Sequence, residues 1–70
     1  MTDASRYFDD EQVPTLDGAN RVIESAFAND DADLASAAEL VIHDLSTGEA
    51  CAKLGDWVMV REALEDILDA

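Results

Sequence analysis

Apolar residues recur at spacings of three and four in separate stretches of the chain, the signature of helices that each bury one face. Leu16, Ala19, Val22, Ile23, Ala26 and Phe27 form the first stripe, with Thr15 or Asp17 placed to cap its amino end and Asn29 near its close. The run Asn29-Asp30-Asp31-Ala32-Asp33 breaks the period. It then supplies a cap and a first-turn carboxylate for a second helix, whose face carries Leu34, Ala38, Val41 and Leu45. Four alanines on that helix, at 32, 35, 37 and 38, let a neighbouring helix approach closely.

Ser46-Thr47-Gly48-Glu49 has the form of a capping box, serine at the cap and glutamate three residues on, and predicts a short helix reaching Leu54. Gly55 is expected to close that helix in the left-handed conformation, and Asp56 to cap the next. The last helix is expected over about Trp57 to Leu68. It buries Trp57, Val60, Leu64, Ile67 and Leu68 and shows Glu62, Glu65, Asp66 and Asp69 on its other side. Val58 and Met59 fall off the buried stripe, Val58 among the acids. No stretch alternates as a strand does. Residues 1–14, with Asp9, Asp10, Glu11 and the only proline, read as a polar arm holding at most one turn around Tyr7 and Phe8, two aromatics that dock on the body. The expected fold is all-α: a small bundle of three to four short helices over residues 15–70, preceded by the arm.

Composition changes the picture through charge. Seventeen acidic side chains face four basic ones in seventy residues, a net charge of -13. A domain of this length has a radius of gyration of about 11 Å, so most charges lie within two Debye lengths of one another at physiological salt. Their repulsion keeps the molecule soluble and disfavours nucleic acid and anionic lipid, both of which call for Lys and Arg. The same surface attracts basic ones, among which the nucleic-acid grooves of other proteins are prominent. At a rise of 1.5 Å per residue, Glu62, Glu65, Asp66 and Asp69 span about 10.5 Å, roughly 3.5 Å per axial interval, near the axial charge spacing of one DNA strand. Salt adaptation is the competing account, because Asp outnumbers Glu eleven to six and Lys53 is the only lysine.

The remaining residues carry little chemistry. His43 is the only histidine, with Asp44 beside it, and its spacing to other ligands or nucleophiles gives neither a metal site nor a triad. Cys51, alone and inside the expected short helix, reads as a core residue. Asp30, Asp31 and Asp33 lack the glycine and the distal glutamate of a calcium loop. Neither catalysis, cofactor nor metal is expected. A single cysteine, the lack of an apolar segment after Met1, and no run near the ~20 residues of a membrane span point to the cytoplasm of a cell or of an infected host.

Thr47 to Gly55 followed by Asp56 to Leu64 resembles the helix-turn-helix of excisionases and small repressors, over about a quarter of the chain. In that family the second helix reads the major groove with polar and basic residues, whereas here it offers Arg61 alone against several acids, so the shape is implied without DNA reading. Length, acidity and helical pattern are loosely similar to acyl carrier proteins. Their Asp-Ser-Leu is replaced here by Asp44-Leu45-Ser46. Size and acidity without a shared motif are also similar to phage-borne anti-defence proteins such as anti-CRISPRs. The expected function is a small inhibitor that occupies a basic, nucleic-acid-binding surface of another protein. Glu62, Glu65, Asp66 and Asp69 form one contact face, Asp30, Asp31 and Asp33 a second, with Val58 and Met59 as apolar anchors. The alternative is a structural or adaptor module, completed as a homodimer through Tyr7, Phe8, Val58 and Met59 and acidic through salt adaptation.

Overall fold

A computed structural model of the chain describes residues 6–69, with helices α1 (Leu16–Ala28), α2 (Ala32–Thr47) and α3 (Leu54–Asp69). Apart from an isolated antiparallel bridge between Phe8 and Pro14, no extended pairing occurs among the described residues, and the architecture is all-α as the periodicity predicts. Side chains fix the helix starts by accepting amide protons that a first turn leaves unbonded. Thr15 Oγ1 accepts the Gly18 amide at 3.1 Å, and the Asp31 carboxylate accepts the Leu34 amide at 3.2 Å. Between these helices the chain turns through Asn29 and Asp30, the latter at φ 55°.

The arm is tied down more firmly than its polarity predicts. Asp9 Oδ1 accepts the amides of Glu11 and Val13, each at 2.9 Å, while the Asp9 amide donates to the Val13 carbonyl. The closed loop that results presses Phe8 into the core. The Thr15 amide donates to the Tyr7 carbonyl at 2.9 Å, and the Thr15 hydroxyl donates to the Arg6 carbonyl at 2.8 Å. One residue thus caps α1 and anchors the arm. Residues 1–5 of the arm lie outside the described part.

Between the helices, Val22, Val41, Val60 and Leu64 are fully buried, joined by Phe8, Ala19, Ala37 and Ala38. α2 packs most extensively against α1 and then against α3, and the buried alanines on α2 are where its neighbours come close, as expected. The radius of gyration is 11.0 Å. Not every residue of the apolar stripes is covered. Leu16 and Phe27, on one flank of the α1 stripe, are 41% and 62% exposed, and Leu45 at the end of α2 is also exposed. Trp57, Ile67 and Leu68 are half-buried.

The expected short helix after Ser46 does not form. α2 continues through Ser46 and Thr47 and ends at Gly48, left-handed at φ 79°, whose amide donates to the Asp44 carbonyl at 2.8 Å. Ser46-Thr47-Gly48 therefore closes a helix where a new start was expected, and the described residues form three helices. Thr47 Oγ1 donates to the His43 carbonyl and accepts the Glu49 amide, which uses the hydroxyl at a carboxyl terminus. Residues 48–53 form an irregular bend. The first helix of the resembled helix-turn-helix is accordingly absent, so that likeness stops at the sequence. Gly55 lies inside α3, and Asp56 acts from within the first turn, its Oδ2 accepting the Lys53 amide at 3.0 Å.

Candidate functional site

Helix geometry places four of the five carboxylates of α3 together. Successive residues turn by 100°, so Glu62, Glu65, Asp66 and Asp69 fall within an arc of about 100°, opposite the buried Val60 and Leu64. All four are exposed. Arg61 Nε reaches Glu65 Oε1 at 3.8 Å, but both side chains are about half exposed, and such a pair contributes little. Glu65, Asp66 and Asp69 rim a shallow recess together with Phe8, Gln12 and Leu68, where the arm meets the end of α3.

Val58 and Met59 differ in their surroundings. Val58 is half-buried in a corner formed by Val13 and Pro14 of the arm and Leu54 and Trp57 of α3. Met59 is 42% exposed. The apolar group through which the alternative, homodimeric module would form is largely used inside the chain: Phe8 is buried, and Tyr7 and Val58 are half-buried.

The second acidic group sits at the turn between α1 and α2. Asp30 and Asp31 line a groove with Ala26, Phe27, Ala35 and Glu39. Asp31 has part of its capacity committed to the cap of α2, while Asp30 and Asp33 are exposed. Phe27 stands at this groove as an uncovered aromatic ring among carboxylates, a feature that sequence reading assigned to the core. The signal was present in the stripe itself: Leu16, Ile23 and Phe27 follow one another at i, i+7 and i+11, along the edge of the face and away from its centre. Leu54, 81% exposed at the start of α3, was missed for the same reason that the preceding bend was missed.

Few cations within the chain offset these acids. The only ion pairs involving Lys or Arg among the described residues are Arg6 with Asp17 at 3.5 Å and Arg61 with Glu65, both solvent-exposed. The described residues contain no helix long and apolar enough to cross a membrane.

A third constellation was not anticipated. Cys51, expected in the core, is exposed, because the irregular bend brings it back over the last turns of α2 beside His43 and Asp44. No protein-family model, curated protein or solved structure matches the chain.

Proposed function

We propose that this protein is a non-catalytic binding protein that occupies a basic, nucleic-acid-binding surface of another protein, in the manner of a nucleic-acid mimic and inhibitor. The observation that supports the reading best is the pairing of uncompensated carboxylates with exposed apolar side chains. Phe27 sits among Asp30, Asp31 and Glu39, and Met59 shares the exposed side of α3 with Glu62 and Asp66. Carboxylate patches steer a basic partner over distances of a Debye length, and a desolvated aromatic then supplies the local anchor that holds it. The setting this reading requires is the cytoplasm of a cell or of an infected host, where proteins with nucleic-acid grooves are met. An anti-defence role of the anti-CRISPR kind is one form of it.

The experiment is affinity capture from a lysate of the host, with the bound protein released by a salt gradient and then titrated with a competing oligonucleotide. A nucleic-acid-binding protein that leaves at moderate salt and is displaced by the oligonucleotide supports the proposal. A partner that is indifferent to both contradicts it.

A further inference from the structure

We infer that His43, Asp44 and Cys51 form a three-ligand site for a borderline-soft divalent metal ion of the zinc type, with the remaining position open to solvent. One ligand atom from each residue can be chosen so that all three lie within 4.8 Å of one another. In a tetrahedral zinc site with bonds of 2.0–2.3 Å, ligand atoms stand about 3.5 Å apart, so the three must close by about 1 Å. His43 and Cys51 are both exposed, and their rotamers are free to make that adjustment.

The three ligands, His43, Asp44 and Cys51, have no part in the acidic contact faces. Asp44 Oδ1 accepts the Cys51 amide at 2.7 Å and Oδ2 accepts the Ala52 amide at 2.9 Å, which fixes the bend with Cys51 over α2. A carboxylate has about four lone-pair positions, so these two bonds leave Asp44 able to ligate as well as to orient. The position is also favourable for a cation. It lies on the last turns of α2, where the helix dipole is negative and no basic side chain occupies the terminal turn. Glu39, one turn back along α2, lines the same recess as His43 and Cys51.

Donor chemistry selects the class of ion. Magnesium and calcium take oxygen ligands, and the many surface carboxylates satisfy that preference diffusely. Sulfur, imidazole nitrogen and carboxylate oxygen converging at one point favour zinc or cobalt instead. Ligation replaces the thiol proton of Cys51 by the metal, releasing that proton to solvent, with no change of oxidation state.

Cobalt(II) is the probe, titrated into the full chain kept reduced with a phosphine. The expected result is a thiolate-to-cobalt charge-transfer absorption that saturates at one equivalent, is abolished by zinc and survives excess magnesium. Cys51→Ser removes the absorption, and His43→Ala weakens binding at least about tenfold, both with unchanged helical circular dichroism. Absence of the charge-transfer band, a stoichiometry of one metal per two chains, or equal cobalt affinity in Cys51→Ser overturns the inference, the last marking diffuse carboxylate binding. If either variant loses helicity, titration of the parent chain after alkylation of Cys51 decides: loss of the one-equivalent binding supports the site, and its persistence overturns it.

Discussion

The first turn of α1 passes against the arm so closely that a Cβ on Gly18 would collide with the backbone carbonyl of Tyr7, and Leu64 Cδ2 also stands only 2.8 Å from that point. Arm, α1 and α3 meet at one residue that has no side chain. Gly18→Ala raises intrinsic helix propensity by up to about 1 kcal/mol, yet overpacking here costs about 1–3 kcal/mol, so the net effect is destabilising. Urea denaturation should show a lower midpoint, and fluorescence of Trp57 on α3 reports it.

The other two glycines should respond in opposite directions. Gly48 ends α2 at φ 79°, a conformation that costs an L-residue about 1 kcal/mol, so Gly48→Ala destabilises by about that amount. Gly55 lies in the first turn of α3 with nothing within 4 Å of the Cβ position, and Gly55→Ala is expected to stabilise by up to about 1 kcal/mol. Thermal melts of the two variants check the signs. Had Gly55 been the left-handed residue, the order would reverse.

These glycines mark where the sequence was legible and where it was not. α1 closes at Asn29 as expected and is capped by Thr15, the first of the two residues placed to do so, while Asp17 falls inside its first turn. Ser46-Thr47-Gly48-Glu49 offers two readings. The same residues suit a capping box and a left-handed helix end, and local pattern does not rank them. The choice is made by Asp44, whose carboxylate binds amides seven and eight residues ahead, a contact that exists only once the helix has stopped. The proximity of His43 and Cys51 follows from that bend, so no spacing rule for metal ligands identifies it in advance. The acidic face of α3 was readable because helical angle alone decides which of its carboxylates share a side.

Burial separates stability from recognition. Leu64 is fully buried, and Leu64→Ala should cost about 2–5 kcal/mol, a large share of what a domain of this size has. Phe27→Ser removes a ring that is 62% exposed and should change stability by no more than about 0.5 kcal/mol. If the ring is a contact anchor, the same variant weakens partner binding by more than about 1 kcal/mol. Denaturation curves and partner titrations on the two variants test both statements.

Salt should stabilise the chain at low concentrations. With a charge of -13 and few ion pairs, raising KCl from about 0.01 to 0.15 M shortens the Debye length from about 30 to 8 Å and relieves repulsion, so Tm rises. The recognition account expects a folded protein across this whole range. A chain that acquires its helical circular dichroism only in molar KCl supports salt adaptation in its place.

The central claim is that fixed carboxylate patches, and not total charge, recognise a cationic partner. The direct measurement is the salt dependence of Kd for the captured partner, with Glu62, Glu65, Asp66 and Asp69 reversed together to lysine. A control reverses the exposed Asp10, Glu11, Glu24 and Glu49 instead. The account predicts that the α3 variant loses most affinity and flattens the slope of log Kd against log salt, while the control, equal in net charge, retains most of both. Equal losses in the two variants, or tight binding that neither salt nor reversal alters, would contradict it.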